Sequence, residues 1–146
     1  MPERTNEEVV RAYLGAMEAK DIDAVSTLRH PDFTSEWPQS GERIRGDANM
    51  RAIDEHYPGG LPDQHTGHIV GSEDRWVVTP SYTIQRVVGS GDFWWGDGTM
   101  SYSDGSTWFA AMLLEVRDGR IYRETAYFCE PFEAPAWRAQ WVERMD

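Results

Sequence analysis

The sequence LLEVRDGRIYRETAYF, residues 113–128, places apolar side chains at roughly every second position on either side of Asp118-Gly119. A period of two is typical of a β-strand with one buried face. Asp-Gly is favoured in two-residue hairpin turns, which need positive φ angles. This stretch therefore predicts two long antiparallel strands, at about 106–117 and 120–130, joined by a tight turn.

Three segments upstream of the hairpin have the same period of two, at about 64–72, 76–88 and 93–103. Glycines are frequent around them, and we interpret 89–92 and 96–98 as turns because glycine adopts the backbone angles that turns require. With the hairpin, these segments predict an antiparallel meander that starts near residue 64.

The N-terminal part of the chain has a helical pattern instead. Thr5, followed by Glu8 three residues later, is the sequence signature of a capping box. Apolar residues then recur at spacings of three and four, which predicts an amphipathic first helix. They are Val9, Val10, Tyr13, Leu14 and Met17.

Two shorter helices are predicted to follow. Asp21 is expected to cap the second helix, which ends near Pro31. Segment 33–37 is interpreted as a short strand and 41–46 as a loop, after which Asp47 is expected to cap the third helix. That helix carries Met50, Ile53 and Tyr57 and ends at Pro58-Gly59-Gly60.

A C-terminal helix is predicted to open at Pro131 and Pro135. Trp137, Trp141 and Met145 fall on one face of it at a spacing of four, and this face is expected to dock or dimerise. Helices followed by long aromatic strands indicate an α+β fold, in which a curved sheet wraps over the helices as a cone. The whole chain is expected to form a single domain with a pocket at the mouth of the cone.

The composition excludes several classes of protein. With 14 Lys and Arg against 25 Asp and Glu, the 146 residues carry a formal charge of −11, which disfavours nucleic-acid and membrane-surface partners. The hydrophobic content of 40% is too high for a disordered acidic chain. The single cysteine, Cys129, excludes an intrachain disulfide, and with no pattern of a signal peptide or membrane span we expect a cytoplasmic protein.

Three stretches of the sequence resemble the cone-shaped superfamily that includes nuclear transport factor 2, ketosteroid isomerase and the SnoaL-like polyketide cyclases. They are VVRAYLGAMEAKDIDAVSTLRHPDFTSEWP (9–38), GDANMRAIDEHY (46–57) and the hairpin at 113–128. The pattern is most similar to that of the SnoaL-like polyketide cyclases. The resemblance implies a pocket for an apolar small molecule and no cofactor. It also implies a homodimer, because the outer face of the sheet commonly pairs in this superfamily.

The resemblance implies roles for two tyrosines. Tyr13 matches a residue that donates a hydrogen bond to the substrate oxyanion in ketosteroid isomerase, and Tyr57 matches a tyrosine that supports it. Two phenols in contact would make one a better donor to a developing enolate. Alternatively, Tyr13 is a packing residue with a satisfied hydroxyl, because it lies on the apolar face of its helix.

The acids of the related enzymes are replaced in this chain. Trp37 stands at the place of the isomerase base, Met112 at that of its second oxyanion donor, and Ala126 near that of the acid of limonene epoxide hydrolase. With the family's register, Glu124 becomes the one carboxylate that faces the pocket, and hence a candidate general acid or base. A register slip of one residue would instead turn Glu124 to solvent.

Two histidines are further candidates for acid–base catalysis. His56 lies at the inner end of the third helix, and His65 lies in the first strand of the meander. An ordinary hydrogen-bonded role is the alternative for each. His65 and His68 would point to opposite faces of a strand, so no metal site is expected.

Large apolar side chains are expected to bind the substrate. Phe93-Trp94-Trp95 puts rings on both faces of a strand, as either a lid over the pocket or a subunit contact. The predicted substrate-binding residues are Trp37, Tyr57, Trp94, Trp108, Met112 and Phe128.

Two classes of function fit these patterns. In the first, the protein is a cyclase or isomerase for an apolar, carbonyl-bearing, polyketide-like or polycyclic molecule. It would act by proton transfer or by shaping a polyene for cyclisation or cycloaddition. In the second, the same fold only binds a small molecule or a protein partner.

Overall fold

The computed structural model describes residues 3–78 and 84–145, and in these ranges a curved six-stranded sheet packs over N-terminal helices. The predicted α+β cone is confirmed. The elements are α1 (Asn6–Glu18), α2 (Ile22–Leu28), β1 (Arg29–Trp37), β2 (Glu42–Arg45), α3 (Asp47–Glu55), β3 (Asp63–Val78), β4 (Ile84–Ser101), β5 (Thr107–Arg117), β6 (Arg120–Cys129) and a 3₁₀-helix (Ala136–Trp141). None of the helices in the described ranges is long and apolar enough to cross a membrane.

Helix α1 begins at the predicted capping box. The Thr5 hydroxyl accepts a hydrogen bond from the Glu8 amide at 3.2 Å, and the Glu8 carboxylate accepts one from the Thr5 amide at 2.8 Å. These bonds satisfy amide groups that a helix start leaves without partners. The buried residues of α1 are Val9, Val10, Tyr13 and Leu14, as the apolar spacing predicts.

The sheet has the strand order β2-β1-β6-β5-β4-β3. The predicted hairpin forms its middle: β5 and β6 pair in antiparallel register through Asp118 and Gly119, whose φ angles are +52° and +71°. Strand β1 runs parallel to β6, with Ser35 opposite Glu124. This parallel pairing brings the N-terminal helices next to the closing hairpin.

The core lies between the helices and the inner face of the hairpin. Leu114 and Ile121 are almost fully buried against α1, and Phe33 reaches the same layer from β1. Burying each such side chain contributes roughly 1.5–3 kcal/mol relative to leaving it in water. The core therefore fixes the register of β5, β6 and β1 together.

The meander differs from the prediction. Two long strands, β3 and β4, stand where three segments were predicted, at 64–72, 76–88 and 93–103, and positions 79–83 of the second segment lie outside the described residues. The predicted turns at 89–92 and 96–98 lie inside β4. The connection between the two strands lies outside the described residues. At 98 the glycine serves close approach instead of a turn: a Cβ there would overlap the carbonyl oxygen of His65 on β3.

Two boundaries near the N-terminal helices also differ. Strand β1 begins at Arg29 instead of residue 33, and the predicted loop 41–46 contains β2, whose Ile44 is buried. Gly46, with φ +80°, takes the N-cap position of α3, so the prediction that Asp47 caps this helix is wrong. The carboxylate of Asp47 instead accepts a hydrogen bond from the buried side chain of Arg29.

The C-terminal segment forms only a short 3₁₀-helix. Three residues complete one turn of a 3₁₀-helix, so a spacing of four does not align side chains on one of its faces. Trp137, Trp141 and Met145 are exposed, at 73%, 72% and 98%. The expectation that they dock on another surface stays a prediction.

Two glycine variants test how backbone approach stabilises this fold. Gly98→Ala is expected to lower the free energy of unfolding by about 1–3 kcal/mol, because the added methyl group collides with the backbone of β3. Gly15→Ala is the matched control: Gly15 is exposed inside α1 with open space around it, so the change should raise stability by about 0.5–1 kcal/mol. Urea denaturation measures both, and an unchanged midpoint for Gly98→Ala would contradict the close approach.

Candidate active site

A cavity of about 150 Å³ lies between the helices and the inner face of the sheet. Its wall is mostly apolar and contains four methionines together with two aromatic residues of the facing strands: Met17, Met50, Met100, Met112, Trp37 and Phe128. Polar groups reach it at five positions: Asp54, Tyr57, Gln64, Tyr102 and Glu124. A largely apolar cavity with a few convergent polar groups is the usual form of a small-molecule site.

Glu124 is the most firmly held of the polar groups. Its side chain is on the inner face of β6, and the residue is only 2% exposed. One carboxylate oxygen accepts a hydrogen bond from Tyr13 at 2.7 Å, and the other accepts one from Ser35 at 2.9 Å. The Ser35 hydroxyl in turn accepts a hydrogen bond from the Trp37 indole at 3.1 Å. Each carboxylate oxygen keeps a second lone pair, so Glu124 retains acceptor capacity toward the cavity.

Arg29 places a positive charge behind this carboxylate. Its side chain is fully buried, its Nε donates to the Tyr13 hydroxyl at 3.2 Å, and its Nη1 donates to Asp47 at 2.9 Å. Burial opposes the charged form of Arg29, but Tyr13 and Glu124 more than offset this effect, so the pKa of Arg29 is raised. Arg29 therefore stays cationic and compensates the buried negative charge.

The hydroxyl of Tyr13 is a link between Arg29 and Glu124. Burial, together with the nearby Glu124 charge, raises the pKa of Tyr13 well above its usual value. The phenol accordingly remains a neutral donor, and its one proton is directed at Glu124. Tyr13 does not line the cavity, which is lined by Glu124 instead.

Asp54 is a second carboxylate at the cavity. It lies on α3, and its nearest cationic atom is Arg29 Nη2, at 3.8 Å. Burial raises the pKa of Asp54 to about 6, and the Arg29 charge only partly opposes this. The expectation that Glu124 is the one inward carboxylate is therefore wrong.

The structure separates the two tyrosines that the resemblance brings together. Tyr13 contacts Glu124 and Arg29, whereas Tyr57 lies beyond the end of α3 and stacks on Tyr102, with ring centroids 6.2 Å apart. Burial and the neighbouring Tyr57 raise the pKa of Tyr102, so this phenol also stays protonated. Tyr57 and Tyr102 both line the cavity, and the Tyr102 hydroxyl donates a weak hydrogen bond to the Met100 sulfur at 3.9 Å.

Neither candidate histidine reaches this cavity. His56 is exposed at the end of α3, with its Nδ1 2.7 Å from the carbonyl oxygen of Ala52. His65 is exposed on β3 and lines a separate cleft of about 30 Å³. The side chains between residues 3–71 and 91–145 also form no cluster of three metal-ligating groups.

The predicted substrate-binding residues divide into two groups. Four of them line the cavity: Trp37, Tyr57, Met112 and Phe128. The rings of Trp37 and Phe128 meet edge to face, with their centroids 5.7 Å apart. Trp94 instead packs against the core, and its indole donates to the carbonyl oxygen of Gly91 at 2.7 Å. Trp108 does not line the cavity, and its ring meets that of Tyr102 edge to face, with the ring centroids 5.8 Å apart.

Sequence reasoning missed Arg29, Ser35 and Asp54. A usable signal existed for two of them. Ser35 is two residues before Trp37 on a strand and so shares its face, and Asp54 follows Met50 by four residues on the apolar face of a helix. Arg29 gave no such signal, because it precedes His30-Pro31 at what the sequence indicated was a helix end.

Comparison with known proteins agrees with this architecture. The model of the SnoaL-like domain family matches residues 10–124, most of the chain. The chain belongs to the SnoaL-like family. No curated protein sequence matches this SnoaL-like protein significantly.

Several solved structures share its fold. An NTF-2-like protein of unknown function from Burkholderia xenovorans is 31% identical, with 97% of this chain and 96% of that chain covered and a TM-score of 0.76. A protein from Kribbella flavida, provisionally named a ketosteroid isomerase, is 22% identical, with 97% and 90% covered and a TM-score of 0.75. A provisionally named polyketide cyclase from Pseudomonas putida is 23% identical, with 85% and 91% covered and a TM-score of 0.62.

Removal of the buried cation tests the charge arrangement of this SnoaL-like site. Arg29→Met is expected to lower the free energy of unfolding by about 3–5 kcal/mol, because Glu124 and Asp47 lose their buried counter-charge. Arg43→Met is the matched control. Arg43 pairs with Glu36 on the surface, where an ion pair contributes about 0–1 kcal/mol. Chemical denaturation at pH 7 measures both, and equal effects would contradict a special role for Arg29.

Proposed function

We propose that this protein is a cofactor-independent isomerase or cyclase that transfers protons on an apolar, carbonyl-bearing small molecule of polyketide-like or polycyclic type. The observation that carries the proposal is Glu124, a buried carboxylate that two hydrogen bonds hold at the wall of an apolar cavity. A fixed base in a water-poor, apolar space is suited to removing a proton from carbon.

The chemistry follows from the groups at the cavity. Glu124 takes a proton from the carbon next to the substrate carbonyl. The electron pair of that C–H bond forms a carbon–carbon double bond, and the π pair of the carbonyl moves to its oxygen to give an enolate. In this proposal the hydroxyl of Tyr57, which lines the same cavity, donates a hydrogen bond to this oxygen. In an isomerase, Glu124 returns the proton to a different carbon. In a cyclase, the enolate carbon attacks a second carbonyl of the same molecule, the π pair of that carbonyl moves to its oxygen, and this oxygen takes the proton back from Glu124.

The residues behind Glu124 act as positioning residues. Tyr13 and Ser35 each occupy one carboxylate oxygen, which fixes the plane of the carboxylate. Arg29 donates a hydrogen bond to Tyr13, and its positive charge offsets the negative charge of Glu124. This compensation allows Glu124 to stay ionised at the cavity wall. A rigid supporting shell of this kind is what keeps a base within reach of a carbon acid.

The cavity also limits substrate size. A cavity of about 150 Å³ lined by apolar side chains is known to hold a benzene-sized ring. The present cavity, at about 150 Å³ and partly open, suits a compact molecule of one or two rings with a further part extending outward. Bicyclic ketones are therefore suitable probes.

Exchange of carbon-bound hydrogen tests this function without knowledge of the natural substrate. The protein is expected to accelerate exchange of the α-hydrogens of 2-tetralone or 2-indanone in D₂O, measured by ¹H NMR. Glu124→Gln should reduce the enzymatic rate by about 10²–10⁴-fold, the usual contribution of a general base. The matched control is Glu36→Gln, which changes an exposed carboxylate of β1 that pairs with Arg43.

Two results would overturn the proposal. One is the absence of any acceleration by the wild-type protein for either ketone. The other is an unchanged rate for Glu124→Gln in a folded variant. Binding of the ketones without exchange, detected by saturation-transfer NMR, would instead support the alternative of a binding protein.

We also propose that the protein forms a homodimer through the outer face of the sheet. Val70, Trp95 and Leu113 are cross-strand partners in one row across β3, β4 and β5, and they are 46%, 38% and 46% exposed. The same face carries further exposed apolar side chains, at Phe93, Phe109 and Tyr127. A continuous apolar surface of this kind marks an interaction site more often than a solvated face.

The oligomeric state is measured by size-exclusion chromatography with light scattering. The wild-type protein is expected to be a dimer at micromolar concentration, and Leu113→Glu should give monomer because it places a charge within this apolar row. Thr27→Glu, on the exposed side of α2, adds the same charge away from this face and should stay dimeric. A monomeric wild-type protein would contradict the proposal.

A further inference from the structure

Asp54 is the carboxylate that lines two neighbouring spaces. It is part of the wall of the main cavity, where Met17, Leu61 and Gln64 also contribute. The same four residues line a smaller neighbouring cleft of about 30 Å³, which Lys20 also borders. The Lys20 side chain is 42% exposed, so this cleft extends toward solvent. Asp54 is therefore positioned between the interior of the cavity and the water outside.

The ion pair between Asp54 and Arg29 is incomplete. Arg29 Nη2 and the nearest carboxylate oxygen are 3.8 Å apart, beyond hydrogen-bond distance. This Nη2 atom is buried and has no hydrogen-bond partner within the described part of the chain. Arg29 thus directs its two hydrogen bonds to Tyr13 and Asp47, and it does not fix Asp54 as a permanent anion.

Negative charges surround Asp54 on several sides. Glu124 approaches from β6, and Asp47 and Glu55 lie on the same helix, whereas Arg29 of β1 is the nearest cation. Lys20, across the small cleft, is already paired with Asp63 at 2.6 Å. Burial and these neighbours favour a bound proton, and the pKa of Asp54 is raised to about 6. Around neutral pH, Asp54 can therefore both hold a proton and release it.

We propose that Asp54 is a second catalytic residue, the general acid that supplies a proton to the substrate oxygen while Glu124 removes one from carbon. This inference rests on the proposed function. As Glu124 takes the proton from carbon, the carboxyl O–H of Asp54 transfers its proton to the carbonyl oxygen, which gives a neutral enol and leaves Asp54 ionised. In the reverse step the enol O–H returns its proton to Asp54, and Glu124 delivers the other proton to carbon.

The small cleft gives this acid a second task. Asp54 can exchange its proton with water on the Lys20 side while the substrate fills the main cavity. Glu124 lines the main cavity but not this cleft, so the two carboxylates differ in their access to solvent. In this arrangement Glu124 exchanges a proton with the substrate carbon, and Asp54 exchanges one with the substrate oxygen.

The exchange of 2-tetralone between pH 5 and pH 8.5 tests this assignment. The wild-type rate is expected to fall above about pH 6, since the protonated fraction of Asp54 decreases up to tenfold per pH unit. Asp54→Asn and Asp54→Leu should lower the rate at pH 5.5 by about 10–100-fold and remove the decline above pH 6. Glu55→Gln, a change at the exposed neighbouring carboxylate, should retain the decline.

The outcomes separate this inference from the proposed function. Loss of exchange in Glu124→Gln, combined with an unaltered decline above pH 6 in Asp54→Asn, would overturn the role of Asp54 and leave the base in place. Unchanged exchange in Glu124→Gln, or none by the wild-type protein, would overturn both.

The pH dependence of thermal stability tests, without any substrate, whether Asp54 binds a proton in the folded protein. Because folding raises the pKa of Asp54, the stabilisation by its bound proton is complete below about pH 4 and is lost as the pH rises through about 6. Asp54→Asn lacks this loss, so its melting temperature relative to the wild-type protein should rise between pH 4 and pH 7. A difference that does not change with pH would show that Asp54 holds no such proton and would overturn the inference.

Discussion

The buried guanidinium of Arg29 is the group on which the rest of the site depends. Arg29 is the first residue of β1. Its guanidinium contacts the ring and the hydroxyl of Tyr13 on α1, and it donates a hydrogen bond to Asp47 in the first turn of α3. A charge without access to water is stable only where several partners surround it, so these elements must all be in place at once. Arg29 therefore links the assembly of the fold to the formation of the site. Glu124 benefits indirectly, because the hydroxyl that Arg29 holds is the one that donates to it.

The parallel contact between β1 and β6 has a comparable effect on geometry. It places Ser35 opposite Glu124, and strand alternation then puts Trp37 on the same inner face two residues later. A chain of hydrogen bonds from indole to hydroxyl to carboxylate follows from the pairing. Such a chain orients the carboxylate through rigid backbone elements and not through a loop. The base in the proposed reaction is thus positioned by sheet register.

Much of the fold was predictable from local signals. The capping box at Thr5, the turn at Asp118-Gly119 and the periods of the flanking segments each encode short-range geometry, and each was confirmed. The glycines of β4 misled the prediction, because glycine favours a turn and also allows the close strand approach seen at Gly98. Sequence alone does not reveal which of the two a glycine serves, since the answer depends on the partner strand.

The site was less predictable for the same reason. The inward orientation of Glu124 was predicted only with the register that the family resemblance implies, because strand alternation alone does not say which face of the hairpin is buried. The roles of Arg29 and Asp54 depend on contacts between β1, α1 and α3, which are distant in sequence. Charged side chains are usually exposed, so the residue types of Arg29 and Asp54 favoured a prediction that both lie at the surface.

The four methionines of the cavity wall add a property that the rigid acid network lacks. Met17, Met50, Met100 and Met112 have flexible, polarisable side chains that adapt to irregular shapes. One side of the site is therefore fixed to within hydrogen-bond geometry, while the other can repack around rings of different outline. Oxidation of any of these thioethers to a sulfoxide would put a polar group into this apolar wall. A wall that can adapt its shape and a wall whose polarity would change on oxidation are thus two consequences of the same lining.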